Sequence, residues 1–135
     1  MSEFVWPVRV YYEDTDAGGV VYHASYLKFM ERARTEWLRA LGFEQDGLAR
    51  QGVLFVVRSV ALDYRRPARF NDTLRVESRV VQLRSAALTF EQNIVDDPSE
   101  APVCSGRVTV VCVDAHTLRP KPMPQTIVAE IAGDR

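Results

Sequence analysis

The chain has 135 residues, of which 47% are hydrophobic and 26% are charged, and this is typical of a folded protein with a single domain, residues 1–135. Seventeen basic residues against eighteen acidic ones give a net charge of -1, without the basic stripe of a nucleic-acid-binding protein. No apolar run approaches the roughly 20 residues of a membrane-spanning helix. The start MSEFVWPVRV lacks the basic and apolar regions of a secretion signal. We therefore expect a cytoplasmic protein, with a peripheral position at the inner membrane left open.

Hydrophobic periodicity predicts the first elements. After Pro7, the segment VRVYY has the β-branched and aromatic residues of a short first strand. Between Tyr26 and Leu41 apolar residues recur at intervals of three and four, which predicts one long helix with a broad apolar face. Ser25 is expected at the N-cap of this helix, and Gly42 at the left-handed position that ends it.

The rest of the chain is predicted to be extended, apart from short helices at 45–50 and 125–133. The expected strands are VLFVVRSVALDYRR, TLRVESRVVQL, ALTFEQNIV and VCSGRVTVVCVD, with turns at ARFND and DDPSEAP. Gly106, within the last strand, indicates a bulge or a close backbone approach. The segment RPKPMP is expected to cover the surface. One helix followed by hairpin-connected strands predicts an α+β fold in which an antiparallel sheet wraps the helix.

Three residues inside the predicted elements have a structural interpretation. Arg34 falls in the apolar arc of the helix, and we expect Glu31, one turn earlier, to pair with it, because an unpaired buried charge is costly. Cys104 and Cys112 lie on one predicted strand, roughly 26 Å apart, which is too far for a disulfide. Both cysteines are expected to be buried on the same face.

The segment EDTDAGGVVYH, from Glu13 to His23, contains three carboxylates, two glycines and a histidine just before the long helix. A calcium loop of the EF-hand type needs a bidentate Glu at its twelfth position, where this chain has Ser25. A transition-metal site would rest on Asp14, Asp16 and His23, without the paired His or Cys residues that zinc usually recruits. A phosphate cradle would lack the lysine of a P-loop. We therefore expect no metal site and no phosphate loop here.

A fourth interpretation, acyl transfer, uses every part of this segment. The glycines let the backbone bend closely around a ligand. Free N–H groups at the start of the helix, near His23, can stabilise negative charge on a carbonyl oxygen. Asp16 can then attack that carbonyl or activate a water molecule. The alternative is that Asp14 and Asp16 only cap turns. Spacing alone leaves both interpretations open.

The stretch YYEDTDAGGVVYHASYLKFMERARTEWL, Tyr11 to Leu38, resembles the signature of the hotdog-fold acyl-CoA thioesterases in the 4-hydroxybenzoyl-CoA thioesterase family, most closely their Tol-Pal system-associated branch. The segments FVVRSVALDYRRPARFND, VVCVD and TIVAE extend the resemblance over nearly the whole chain. It implies a curved antiparallel sheet around one long helix, and homodimers with joined sheets that in many members assemble into homotetramers. It implies no separate cofactor, since coenzyme A is part of the substrate.

The same resemblance implies roles for individual residues. Asp16 corresponds to the catalytic carboxylate. The backbone N–H at His23 corresponds to a donor to the thioester carbonyl, and the His23 imidazole is implied as a further catalytic group. Backbone N–H groups at Val21 and Tyr22 are expected to help bind the same oxygen.

Coenzyme A has no dedicated motif in this sequence. Its phosphates are expected to meet surface arginines, namely Arg58, Arg65 and Arg66, although each of them can equally be a solvated charge on the sheet. Relatives often carry hydroxyl residues that face the active site across the dimer interface. Here LRSAALTF offers Ser85 followed by two alanines, which leaves that contact open.

We therefore predict an acyl-CoA thioester hydrolase for short- to medium-chain acyl groups, with Asp16 as nucleophile or general base. Acyl carrier protein is a further candidate partner, as an alternative carrier of the thioester. Two other functions are weighed against this one. The first is dehydration of a hydroxyacyl thioester. The second is a non-catalytic module that binds acyl-CoA or acyl carrier protein in envelope or lipid assembly.

Overall fold

Five antiparallel strands form one sheet in the computed structural model, which describes residues 3–133, and a long helix packs on one face of that sheet. The strands are β1 Phe4–Arg9, β2 Val53–Tyr64, β3 Thr73–Leu83, β4 Ala87–Asp96 and β5 Pro102–Asp114. The helices are α1 Ser25–Ala40, α2 Gln45–Arg50 and α3 Gln125–Gly133. The order across the sheet is β1-β3-β4-β5-β2, so β1 and β2 are its two edges. The predicted α+β architecture is confirmed.

Alternation of side chains decides which face of the sheet is buried. In β4 every second residue from Leu88 to Ile94 is buried, and the residues between them are only partly covered. Strand register aligns the buried residues of neighbouring strands, so that Val80 lies opposite Phe90, which in turn lies opposite Val108. These rows of apolar side chains form the surface that receives α1.

The helix α1 buries the broad apolar face that its sequence predicts. The buried side chains are Tyr26, Phe29, Met30, Ala33, Trp37 and Leu38. The helix ends as predicted, because Gly42 has a φ of +99° and the N–H of Phe43 donates to the carbonyl of Leu38 at 3.1 Å, which is a Schellman motif. The N-cap is Ala24, one residue before the predicted Ser25. No helix within residues 3–133 is long and apolar enough to cross a membrane.

The predicted position of the first strand is wrong. The strand was expected after Pro7, but it spans Phe4–Arg9 and includes that proline, which pairs with Arg75 of β3. Proline lacks the N–H that a central strand needs, and an edge strand tolerates this because one side of it has no neighbour. The residues after Arg9 then turn into a 3-10 helix, Tyr12–Asp14, at the start of the acidic segment.

The sequence predicts that the proline-rich segment after β5 only covers the surface, but in the structure the segment also pairs with β5 and contributes to the core. Pro120 forms an isolated bridge with Val113, and the N–H of Lys121 donates to the carbonyl of Cys112 at 3.0 Å. Met123 is 5% exposed and therefore belongs to the core. The segment thus joins β5 to α3, which contributes two further isoleucines to the core.

The expected ion pair of Arg34 with Glu31 is also wrong. No carboxylate within residues 3–133 lies within 4.0 Å of the Arg34 guanidinium, which instead donates to the side-chain oxygen of Gln92 at 2.9 Å. Gln92 is fully buried, and its amide nitrogen donates to the Met30 carbonyl at 3.0 Å and to the Ser78 hydroxyl at 2.9 Å. Burial lowers the pKa of Arg34, and the Glu31 charge partly opposes this. A neutral amide therefore supports this cation.

Gly106 of β5 lies in the core, where a side chain would collide with packed neighbours. A Cβ atom at this position would lie 2.5 Å from Cδ2 of Leu62 and 3.2 Å from Cε of Met30. The register is regular here, since Gly106 pairs with Leu62 on one side and Gln92 on the other. Of the two explanations offered by the sequence, close approach is therefore correct and a bulge is not.

The substitution Gly106→Ala is expected to lower the free energy of unfolding by about 1–3 kcal/mol, because the added methyl group overfills a packed contact. Urea denaturation measures this change. The control is Gly47→Ala in α2, where the nearest atom to a new Cβ is 3.9 Å away. Alanine there should stabilise the helix by about 0.5–1 kcal/mol. Equal stability of Gly106→Ala and the parent protein would contradict the close contact.

Candidate active site

The acidic segment folds into a tight hairpin. Thr15 and Val21 form a β-bridge, and inside it the N–H of Asp16 donates to the carbonyl of Val20 at 2.9 Å. The N–H of Gly19 donates back to the Asp16 carbonyl at 3.0 Å, and its φ of +80° is the left-handed value that glycine adopts without strain. The hairpin therefore presents Asp16 at its turn.

The Asp16 carboxylate both closes this turn and keeps one oxygen free. Its Oδ1 accepts a hydrogen bond from the N–H of Gly18 at 2.8 Å. A Cβ atom at Gly18 would lie 3.2 Å from that oxygen, so glycine leaves room for the contact. The second carboxylate oxygen accepts no hydrogen bond within residues 3–133, and the side chain is exposed. Asp16 can therefore cap the turn with one carboxylate oxygen and react through the other.

Asp14 has a different environment, although it lies only two positions earlier. The residue is 5% exposed, and its Oδ2 accepts the N–H of Tyr11 at 2.8 Å. The Asp14 carbonyl also accepts the N–H of Tyr22 at 2.8 Å, which ties the hairpin to the start of α1. Asp14 is therefore a structural carboxylate, while Asp16 is available for a ligand.

The N-terminus of α1 offers free N–H groups, of which the sequence predicted that of His23 but not that of Ala24. The N–H of Val21 donates to the carbonyl of Ala68, and the N–H of Tyr22 donates into the hairpin, both at 2.8 Å. The expectation that these two groups bind a carbonyl oxygen is wrong, because each is already used. The N–H groups of His23 and Ala24 have no acceptor within residues 3–133. They are the orphan donors that the start of a helix leaves.

Three tyrosines surround this helix terminus. The Tyr64 hydroxyl donates to the carbonyl of His23 at 3.0 Å, and its ring meets the exposed His23 imidazole edge-on with centroids 6.5 Å apart. Tyr22 contacts the same imidazole with centroids 4.4 Å apart, and the Tyr26 hydroxyl accepts the N–H of Ala68 at 3.1 Å. Sequence reasoning missed Tyr64 as part of this site. Its only signal was an aromatic residue at the end of a predicted strand, with no indication of what the hydroxyl would contact.

The structure brings two of the three predicted arginines to this end of the sheet. Arg65 and Arg66 directly follow Tyr64, and both main-chain N–H groups donate to the carbonyl of Val103. Arg65 also lies 3.9 Å from the exposed carboxylate of Asp63. Arg58 is six residues back along β2, about 20 Å away. In one chain, Arg58 is therefore remote from Asp16 and His23.

A cavity of about 230 Å³ opens between the second half of α1 and the sheet. Its apolar walls are Trp37, Leu38, Phe55, Val57, Leu88, Phe90 and Val110, and its polar groups are Glu31, Arg34, Thr35 and Gln45. Asp16 and His23 do not line it. Arg34 is eleven residues after His23, or about 16 Å along the helix axis. Within one chain, the cavity and the hairpin are therefore apart.

The described residues offer neither a cluster of metal ligands nor a reactive thiol. Within residues 3–133 no group of three or more His, Cys, Asp or Glu side chains is arranged to hold a metal ion. Cys104 and Cys112 are both buried and unpaired. Burial raises the pKa of the Cys104 thiol to about 11 and also raises the pKa of Cys112. Both thiols are therefore protonated at neutral pH and are poor nucleophiles.

Fold and site together define a hotdog-type α+β domain with a carboxylate-bearing hairpin before its central helix. Residues 10–131 match the family model described as the thioesterase-like superfamily. The chain is 50% identical over 127 residues to the acyl-CoA thioester hydrolase YbgC of Shigella flexneri, covering 94% of each chain. It is 46% identical over 127 residues to the acyl-CoA thioesterase YbgC of Haemophilus influenzae, covering 93% of this chain and 92% of that one.

Among solved structures, a 1,4-dihydroxy-2-naphthoyl-CoA thioesterase from Synechocystis superposes with a TM-score of 0.90 over 97% of this chain and 96% of its own. Its identity is 23%, so this likeness concerns the fold. The chain therefore belongs to the thioesterase-like superfamily. The hotdog fold, the family resemblance and the thioesterase class predicted from the sequence are confirmed.

The two aspartates of the hairpin are expected to differ in their effect on stability. Asp14→Ala should lower the free energy of unfolding by about 1 kcal/mol, because a capping acceptor is lost from a buried site. Asp16→Asn should change it by less than about 0.5 kcal/mol, because exposed substitutions that keep the hydrogen-bond acceptor have small effects. Chemical denaturation of both variants gives the comparison. A larger loss in Asp16→Asn than in Asp14→Ala would contradict the assignment of Asp14 as the structural carboxylate.

Proposed function

We propose that this chain hydrolyses acyl-CoA thioesters, with Asp16 as the reacting carboxylate and the N–H groups of His23 and Ala24 as donors to the thioester oxygen. One observation carries the proposal: a free carboxylate oxygen and two free N–H groups belong to the same hairpin-to-helix junction. Attack on a thioester places negative charge on its carbonyl oxygen, and preorganised N–H donors stabilise that charge. The dipole of α1 acts in the same direction.

Two routes are consistent with this arrangement. In the covalent route, the free oxygen of Asp16 bonds to the thioester carbon, the C–S bond breaks, and CoA leaves as a thiolate that takes up a proton. Water then hydrolyses the mixed anhydride. In the other route, Asp16 takes a proton from a water molecule whose oxygen attacks the same carbon. In both routes, the exposed imidazole of His23 is the proposed proton donor to the leaving sulfur.

We infer a homodimer from the uncovered edge of the sheet. Among the strands of residues 3–133, β2 pairs only with β5, and its exposed residues include Val56, Val57 and Val60, at 39%, 50% and 42%. An apolar edge strand with unpaired N–H and C=O groups is a template for pairing with another strand. Two copies that pair along β2 would join their sheets and cover these valines.

Such a dimer would also complete the site. The cavity lies beside Phe55 and Val57 in the first half of β2, whereas Tyr64 and the hairpin lie at its far end. Antiparallel pairing of two β2 strands places the Tyr64 end of one copy beside the cavity end of the other. The acyl group would then enter the cavity of the second copy. At about 230 Å³ the cavity is smaller than typical sites for drug-sized ligands, which supports short- to medium-chain acyl groups.

Arg65 and Arg66 are the proposed contacts for the phosphates of coenzyme A, because they lie next to Tyr64 at the site end of β2. The Arg66 side chain forms no ion pair within residues 3–133 and is therefore available. The phosphopantetheine of an acyl carrier protein would meet the same two arginines. Comparing acyl-CoA with acyl carrier protein as substrates separates the two carriers.

Asp16→Asn is expected to slow release of free CoA by about 10²–10⁴-fold, because the substitution removes the nucleophilic or basic oxygen. A thiol-release assay over a panel of acyl-CoA esters measures this. The control is Glu13→Gln, an exposed carboxylate of the same segment, which should keep the parent rate. Turnover of Asp16→Asn near the parent rate would contradict the assignment of Asp16. A parent protein that binds acyl-CoA without releasing CoA would instead be a binding module.

The dimer is tested by Val60→Lys, which places a charge on the proposed interface. Light scattering after size exclusion should show that the variant is monomeric and that the parent is a dimer or a tetramer, and thioesterase activity should fall with the loss of the dimer. The control is Val5→Lys on the opposite edge, where the valine is 43% exposed. It should leave the β2 dimer intact. A fully active monomeric parent would contradict the proposed shared site.

A further inference from the structure

We propose that Tyr64 is a positioning residue that aims the Ala24 N–H at the thioester oxygen. The inference rests on the proposed function, because it concerns one of the two N–H donors of that site. It assigns a role to a side chain on β2, outside both the hairpin and the helix. The Tyr64 hydroxyl donates to the carbonyl of His23 at 3.0 Å, and this carbonyl belongs to the same peptide unit as the Ala24 N–H.

The geometry of the peptide unit links the two groups. A trans peptide is planar, and its C=O and N–H point in opposite directions. The bond between His23 and Ala24 is trans, since the one cis bond within residues 3–133 precedes Pro98. Whatever fixes the direction of the His23 carbonyl therefore also fixes the direction of the Ala24 N–H.

Within residues 3–133, no main-chain group bonds to this peptide unit. In a regular helix the His23 carbonyl would accept the N–H of Leu27, but that N–H donates to the carbonyl of Ala24 at 3.2 Å. The Tyr64 hydroxyl is the only donor to the His23 carbonyl within residues 3–133. The other candidate N–H group, that of His23, has a different support. Its peptide unit carries the Tyr22 carbonyl, which accepts the N–H of Ser25 at 2.8 Å.

The position of Tyr64 is itself well fixed. It is the last residue of β2 and pairs with Cys104 of β5. Its ring packs against Tyr26, with centroids 5.7 Å apart, and against the edge of His23. Burial, with a smaller contribution from Cys104, raises the pKa of Tyr64, so the hydroxyl stays protonated at neutral pH and remains a donor. The sheet thus sets the direction of an N–H group at the helix terminus.

Tyr64→Phe removes the hydroxyl and keeps the ring contacts. We expect kcat for acyl-CoA hydrolysis to fall about 10-fold with KM within about 2-fold, which is less than the 10²–10³-fold loss when an oxyanion donor is removed altogether. The matched control is Tyr11→Phe. The Tyr11 side chain is 61% exposed, and its hydroxyl makes no hydrogen bond within residues 3–133, so this variant should keep the parent kinetics.

A pair of unreactive ligands separates positioning from a general loss of structure. The first is a ketone analogue of acyl-CoA in which CH2 replaces the thioester sulfur, so that the carbonyl oxygen is retained. The second is the S-alkyl-CoA thioether of equal length, which has no carbonyl. In Tyr64→Phe the Kd of the ketone should rise about 10-fold, or about 1.4 kcal/mol, because the Ala24 N–H is no longer held in the direction of the ketone oxygen. The Kd of the thioether should not change.

The measurements of kcat and of the two Kd values can each support or overturn the proposed role of Tyr64. An unchanged kcat in Tyr64→Phe, or an equal rise in Kd for both ligands, would overturn it. A fall in kcat with a selective loss of ketone affinity supports it. The proposed function is tested separately, since it fails only if the parent releases no CoA or if Asp16→Asn stays active. An active parent with an equally active Tyr64→Phe would remove the positioning role alone.

Discussion

The burial of α1 against the sheet is the constraint on which the position of the candidate site depends. Phe29 and Met30 are fully buried, and each large apolar side chain taken out of water stabilises the fold by about 1.5–3 kcal/mol. A shift of the helix by one residue would rotate these side chains by about 100° and expose them. The missing side chain of Gly106 leaves room in the sheet for the tip of Met30. The packing therefore fixes where the helix begins, which is beside Tyr64 and the acidic hairpin.

The two edges of the sheet differ in a way that bears on assembly. The outer strand β1 contains Pro7, and a proline on an edge discourages further pairing because it offers no N–H. The outer strand β2 has no proline and exposes three valines along its length. Cavity and hairpin lie at opposite ends of that same strand. Pro7 thus disfavours pairing along β1, whereas β2 stays available for pairing with a second copy. Pairing along β2 would bring the hairpin of one copy beside the cavity of the other.

Local patterns predicted a large part of the fold. The period of α1, its end at Gly42 and the span of β3 depend on neighbours in sequence, and the structure agrees with all three. The failures involve tertiary contacts. Arg34 is supported by Gln92, 58 residues away, and the carbonyl of His23 by Tyr64, 41 residues away. Sequence periodicity carries no information on such pairs.

Contacts between distant residues also explain what the sequence missed at the N-terminus of α1. The sequence indicated free N–H groups near His23, but it could not show that Val21 donates to Ala68 on a neighbouring loop. The position of β1 failed for a related reason, because Pro7 is tolerated only where a strand has no second neighbour. The resemblance to thioesterases identified the family correctly, since it depends on a long matching stretch and not on contacts between distant residues.

The glycines of the acidic segment have a role that the sequence did not indicate. They were expected to give a ligand room, but they serve the carboxylate of Asp16. Gly18 has no Cβ, which leaves room for its N–H to reach Oδ1 at 2.8 Å, and Gly19 takes the left-handed conformation that returns the chain to Val20. A carboxylate held by one oxygen loses rotational freedom, so its other oxygen keeps a fixed direction. Capping the turn is therefore the means by which the free oxygen is oriented, and the two interpretations of Asp16 describe the two oxygens of one group.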